Sequence, residues 1–318
     1  MNPYNLSYQI TTVNWDGQLV RRLPDEAFLP NMLAIKNAGV NELMLSGYVT
    51  VEEADFDMAE ETKRMGAFLD SYGMRPAQHH GLSAVYAPLD RSQEPVIEKL
   101  IQGIQWTANL NSPVLVIHPC HFYAPESWTT VSQIDMFESQ AAIYGEDAIV
   151  ETAAKNLHEA AREAERLGVK VALENVDRFE PMGNFKHLSR LIELADSPNV
   201  GFCLDSGHAH CCGETTPMEW IRAMGEKLFT THFHDNRGNR FRSNDGKKWI
   251  SPGNGLDEHM PPGFGTIPWI DVIQALWEIN YTNTVNFESG SWPLENGYHY
   301  AISYWRAMEI MAEKKLKK

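Results

Sequence analysis

The chain has 318 residues, 43% hydrophobic and 22% charged, with 27 basic against 42 acidic side chains and a formal net charge of −15. That length suits one large α/β barrel or two ordinary domains, and the composition is that of a globular protein. The charge speaks against a nucleic-acid partner, because the one modest basic cluster, Arg237 to Lys248, is interrupted by Asn, Gly, Asp and Phe. Four cysteines (Cys120, Cys203, Cys211, Cys212) form no C-x-x-C pattern and read as reduced thiols. The first residues lack a basic and then apolar leader, and no apolar run approaches the roughly 18 residues of a membrane span. The expectation is a soluble cytoplasmic protein without a membrane partner.

In chain order, short apolar runs alternate with helical patterns. Candidate strands fall at residues 7–12, 42–46, 75–80, 113–118, 170–174, 199–205, 228–234 and 284–288. Between them, residues 54–72 and 151–167 carry apolar side chains at i, i+3, i+4 spacing. Gly39, Gly73 and Gly168 stand where a helix would stop before the next strand. Strand and helix alternating eight times over about 300 residues is the pattern of a (β/α)8 barrel, and no Ser/Gly-rich linker divides it. Residues 1–318 are expected to form a single barrel domain. An open doubly wound sheet lacks support, since no G-x-G-x-x-G follows the first strand. Two connections, 119–146 after strand four and 235–265 after strand seven, are long enough to suggest a role as pocket wall or lid. Their aromatics (Phe122, Tyr123, Trp128, Phe241, Trp249) suit either stacking on a sugar ring or packing the loops on the barrel.

Residues 171–180, VALENVDRFE, begin as a buried strand and then present Glu174. A carboxylate directly ending an apolar strand is costly to bury without a cation or donor beside it. At the C-terminal end of a barrel strand it reads as catalytic. Asp205, His234 and Glu288 repeat the pattern at the ends of strands six, seven and eight. Three carboxylates and one imidazole suit a single divalent cation, Mn2+, Mg2+ or Co2+. His232 competes with His234, because residues two apart on a strand share a face; position nearer the strand end favours His234. His208, three residues after Asp205, is expected to face the same pocket. His118 and His80 end strands four and three, and Asp257 and His259 precede the rigid Met260-Pro-Pro-Gly-Phe-Gly turn.

Several motifs resemble those of one family. Leu173-Glu174-Asn175-Val176-Asp177-Arg178-Phe179-Glu180 fits L-E-x-x-x-R-[FY]-E. Leu204-Asp205-Ser206-Gly207-His208 fits L-D-x-x-H. His234 has an arginine, Arg240, six residues on, Glu288 matches a final strand glutamate, and residues 263–269 fit G-x-G-x-I-x-W. These resemble the xylose isomerase-like barrels, and within them the ketose 3-epimerases of the tagatose/psicose type. The resemblance implies one divalent metal, Mn2+ first with Mg2+, Co2+ or Zn2+ as alternatives, held by Glu174, Asp205, His234 and Glu288. It implies that Glu174 and Glu288 also act as acid and base, removing a proton alpha to a carbonyl and returning one through a cis-enediolate. Glu180, His208 and Arg240 would hold substrate oxygens, with His118, Asp257 and His259 also at the substrate pocket. The partner is then a small sugar or glycoside. By analogy with related barrels, the chain is expected to form a homo-oligomer.

Two further resemblances set alternatives. Asp257-x-His259 resembles the D-x-H of endonuclease IV, and His118 a ligand of its trinuclear zinc site, which leaves room for further metals and a zinc phosphoesterase. Related barrels also cleave 3-keto C-glycosides as lyases, with a small partner subunit in a hetero-oligomer.

Overall fold

The computed structural model describes residues 5–11, 24, 28–46, 57–81, 84–119, 132–176, 181–212, 215–238, 241–242, 249–250, 257–289 and 297–317. Eight parallel strands lie side by side: β1 (Leu6–Thr11), β2 (Glu42–Ser46), β3 (Arg75–His80), β4 (Val114–Ile117), β5 (Lys170–Glu174), β6 (Val200–Asp205), β7 (Leu228–His232) and β10 (Val285–Phe287). Each pairs with the next in chain order, and β10 returns to β1. Closure between β7 and β10 comes just past β7. The Phe233 N–H donates to the Asn286 carbonyl at 2.8 Å, and the Glu288 N–H donates to the Phe233 carbonyl at 3.1 Å. This is the eightfold alternation the sequence predicts, with strand bounds within one or two residues of the expected ones.

The helices α1 (Phe28–Asn37), α2 (Met58–Ser71), α3 (Glu94–Asn109), α5 (Glu146–Leu167), α6 (Phe185–Ala195), α7 (Ser206–Cys212), α8 (Pro217–Met224) and α9 (Trp269–Glu278) lie between successive strands, and α10 (Gly297–Leu316) follows β10. α5 shows why such segments are helical. Ile149, Val150, Ala153, Leu157, Ala160 and Ala164 recur at three- and four-residue spacing and are all buried, while charged residues face outward. Burying the Ile149 and Leu157 side chains contributes roughly 1.5–3 kcal/mol each. Gly168 then ends the helix at φ 70°, a left-handed conformation costly for a side chain. Asp57, Ser132, Asn184 and Thr216 cap the N-termini of helices with side-chain oxygens.

The two long connections are partly structured. The first contains α4 (Gln133–Tyr144), which the sequence reading treated as loop, and the second contains a two-stranded hairpin of β8 (Phe241–Arg242) and β9 (Trp249–Ile250). Phe122, Tyr123 and Trp128 lie outside the described residues. No helix among the described residues is long and apolar enough to cross a membrane.

Register decides what meets at the barrel mouth. On the β5–β6 ladder Glu174 lies level with Cys203. Between β6 and β7 the register shifts at Phe202/Cys203, so β7 carries one extra residue and Asp205 lies level with His232. Without that irregularity Asp205 would face Thr231.

Candidate active site

Glu174, Asp205, His232 and Glu288 converge at the C-terminal mouth of the barrel, each offering one ligand atom within 4.8 Å of the others. All four are buried. The His232 Nδ1 lies 3.0 Å from the Glu174 Oε2 and 2.9 Å from the Glu288 Oε2, yet is aligned for a hydrogen bond with neither. Around Glu174, the His80 Nε2 approaches at 3.1 Å and the His118 Nε2 at 3.5 Å, and the His80 ring stacks on His232 at 5.3 Å between centroids. The Gln9 amide reaches Glu288 at 3.4 Å.

Charge balance follows from these contacts. Burial pushes the Glu174 carboxyl up, but the His232 and His118 imidazoles outweigh it and hold the group well below the usual carboxylate range. Burial likewise opposes ionisation of Glu288, and His232 overrides it to bring the carboxyl down to about 2. For His232, burial disfavours the cation, while Cys203, Glu288 and Glu174 raise its pKa well above the ordinary imidazole value. The Cys203 thiol, itself pushed up to about 12 by burial, is neutral at pH 7. The two carboxylates therefore supply the charge that His232 answers.

A second group sits beside the first: His208, His234, Asp257 and His259, again with ligand atoms within 4.8 Å of one another. The Asp257 Oδ2 lies 3.0 Å from the His208 Nε2 and 2.7 Å from the His259 Nε2. The His234 Nε2 lies 3.0 Å from Asp205 and 3.4 Å from the Asp257 Oδ1, so Asp205 borders both groups. The Nδ1 of His208 and of His259 each lie 2.9 Å from a backbone carbonyl, that of Asn175 and that of Glu288. Those carbonyls accept from both Nδ1 atoms and turn both Nε2 atoms towards Asp257, the ring orientation that metal-ligating histidines adopt. Burial opposes the charged form of His259, but the Asp257 bond raises it to about 10. His208 is raised well above the usual value by Asp205, Asp257 and Glu174 against burial. His259 also adopts φ 42°, a left-handed conformation rare outside glycine. Opposite it, Gly207 is required: a Cβ there would lie 1.8 Å from the His234 ring.

The loop carrying Asp257 and His259 is anchored from below by Asp235. This buried carboxylate accepts from the Gly263 and Ile267 N–H groups at 2.8 and 3.1 Å and from the Trp269 indole at 2.9 Å. The rigid turn expected after residue 259 is therefore held by a side chain at the start of the same connection.

Of the residues predicted from sequence, Glu174, Asp205 and Glu288 come together as expected. His234 does not join them in the expected way. β7 ends at His232, which the register places level with Asp205, and His234 lies past the strand end, stacked on His259 at 4.1 Å. His232 occupies the place assigned to His234. His208, Asp257 and His259, expected at substrate oxygens, form the second group with His234. His118 lies beside Glu174. Glu180 and Arg240 lie outside the described residues. Sequence reasoning weighed His80 without assigning it, and missed Asn175 and Asp235. The only signal for those two was a polar residue directly following a site residue.

A divalent cation fits the first group by a test internal to it. Both nitrogens of the fully buried His232 ring and the Glu288 Oε2 have no hydrogen-bond partner among the described residues, although buried polar atoms are paired as a rule. Donor atoms spaced by about 3 Å are what bonds of roughly 2.1 Å to one cation produce. The second group shows the same sign in the unpaired His234 Nδ1 and Asp257 Oδ1.

Residues 34–308 match the xylose isomerase-like TIM barrel family, and the chain belongs to it. It is 28% identical over 204 residues to the protein MJ1311 of Methanocaldococcus jannaschii, covering 63% of this chain and 58% of that one. It is 27% identical over 138 residues to D-psicose 3-epimerase of Enterocloster bolteae, covering 43% and 38%. The matched stretches thus span less than two thirds of these curated relatives. Among solved structures, an L-ribulose 3-epimerase superposes with a TM-score of 0.67 at 19% identity, over 99% of this chain and 97% of that one. The 3-keto-D-glucoside 4-epimerase YcjR of E. coli gives 0.66 at 14% identity over 96% and 100%. The IOLI protein, solved with a bound zinc atom, gives 0.61 at 17% identity over 98% of each. At these identities the structures show the shared fold.

Proposed function

We propose that this protein is a divalent-metal-dependent epimerase or isomerase of a small sugar, acting by proton abstraction alpha to a carbonyl. The observation that carries the reading is the His232 imidazole held 3.0 and 2.9 Å from the buried Glu174 and Glu288 carboxylates with Asp205 alongside. Glu174, Asp205, His232 and Glu288 would hold the metal, with Mn2+ the first choice for a donor set rich in oxygen. When bound, that ion acidifies the C–H next to a carbonyl it polarises. The chain's own residues do the rest. One of Glu174 and Glu288 would take the proton from one face of that carbon as base, and the other, entering the step protonated, would return one as acid from the opposite face or to the neighbouring carbon. His80 and His118 approach the Glu174 oxygens and set their direction. The epimerase names of similar proteins support this choice of substrate class.

Incubating the metal-loaded protein with a panel of ketoses and 3-keto glucosides in D2O tests the reading. Deuterium entry alpha to the carbonyl of at least one is expected, and release of an aglycone would mark the lyase outcome. No exchange in any substrate would overturn it. A zinc phosphoesterase is the second reading, favoured by the group His208, His234, Asp257 and His259. Metal counting separates the two: a single tightly bound ion per chain removes the phosphoesterase's catalyst.

A further inference from the structure

We propose that Asn175 is a positioning residue, one buried amide that sets Asp205 relative to Glu174 and ties the two side-chain groups together. The inference rests on the metal-dependent reading above. Asn175 directly follows Glu174, at the point where the β5–β6 pairing ends with Glu174 level with Cys203. It is fully buried. There its side chain takes over the role of backbone: its carbonyl oxygen accepts from the Asp205 N–H at 2.7 Å, and its amide nitrogen donates to the Asp205 carbonyl at 2.9 Å. The two bonds are complementary, so only one amide orientation satisfies both. Its own backbone carbonyl accepts from the His208 Nδ1 at 2.9 Å.

The consequence lies in what Asp205 does next. Its carboxylate belongs to the first group, accepts from the His208 N–H at 2.6 Å and meets the His234 Nε2 at 3.0 Å. Thus the Asn175 side chain fixes the backbone from which the shared carboxylate projects, and its backbone carbonyl orients the His208 ring. The His208 contact is made by backbone and survives substitution, so it is the pair of bonds to Asp205 that requires an asparagine side chain. Aspartate has no donor for the Asp205 carbonyl, and an apolar side chain would leave two buried peptide groups without partners. Asn199 offers a contrast just before the start of the same pair of strands. Its amide donates to the Val169 carbonyl at 2.9 Å, at the opposite end of the barrel from the site.

The test is titration of Mn2+ into metal-stripped protein by calorimetry, with folding checked by circular dichroism. Asn175→Ala is expected to weaken Mn2+ binding by about 10- to 100-fold, the range for outer-shell partners of metal ligands. Asn175→Ser, which keeps one polar partner, falls between and decides the matter if the alanine variant does not fold. Asn199→Ala should lower the thermal midpoint while leaving the Mn2+ dissociation constant unchanged. Wild-type protein that binds no Mn2+ would overturn the metal reading itself. Wild-type protein that binds Mn2+, with the Asn175 variants within about twofold of it, would overturn the positioning role.

Discussion

Replacing His232 by alanine isolates the central feature of the site. In metal-free protein the His232 imidazolium answers two buried carboxylates, at 3.0 and 2.9 Å, and its removal leaves them facing each other. Two routes give the same size for the loss. Breaking a buried ion pair from one side costs about 3–5 kcal/mol. Alternatively one carboxyl takes up a proton. Holding it neutral at pH 7 against an ordinary value near 4.3 costs about 4 kcal/mol, at roughly 1.4 kcal/mol per pH unit. The second route fixes the sign with pH. In the variant, the carboxyl's folded pKa lies above its unfolded one, so its destabilising effect is absent below the unfolded value and grows as pH rises. Guanidinium unfolding in EDTA should therefore show a deficit of about 3–5 kcal/mol at pH 7 that shrinks markedly by pH 5. The His234→Ala variant keeps the cation between the carboxylates and should show no such pH-dependent deficit. A loss below about 1 kcal/mol at pH 7, or one independent of pH, would refute the assignment of His232 as the counter-charge.

Glu174→Gln and Glu288→Gln should each lower solvent deuterium exchange by about 10²- to 10⁴-fold with native circular dichroism, and full exchange in either would end the two-carboxylate mechanism. Because His232 and His208 are raised well above the ordinary value and His259 to about 10, while a metal takes only neutral imidazole, binding should release roughly one proton per imidazole engaged and strengthen as pH rises. Calorimetry in two buffers of different ionisation enthalpy reads that release, and identical heats in both would contradict it. Gly207→Ala places a methyl 1.8 Å from the fully buried His234 ring, which should cost at least the ~1–3 kcal/mol of an overpacked core. An unchanged thermal midpoint would show that the ring is free to move.

The barrel was legible because its signals are local. Apolar runs of strand length, helical spacing such as that of residues 149–164, and glycines at 39, 73 and 168 each act within one element and need no knowledge of the rest. The site was legible in part for the same reason. A carboxylate ending an apolar strand is anomalous wherever that strand goes, which marked Glu174, Asp205 and Glu288. The helix α4 escaped because its apolar face is weak, with only Met136, Phe137 and Gln140 buried.

The choice between His232 and His234 was of another kind. Both lie on one face of β7 by periodicity, and no property of the strand alone separates them. Tertiary pairing does so: the shifted β6–β7 register sets His232 level with Asp205, and β7 ends there, leaving His234 two residues beyond. The second group depends likewise on a loop folding back, anchored through Asp235, to bring Asp257 and His259 to His208. The sequence by itself determined the periodic elements and the residue types available at their ends. Only the tertiary structure decided which of those residues meet, because ladder register and loop return are set by packing between segments far apart in the chain.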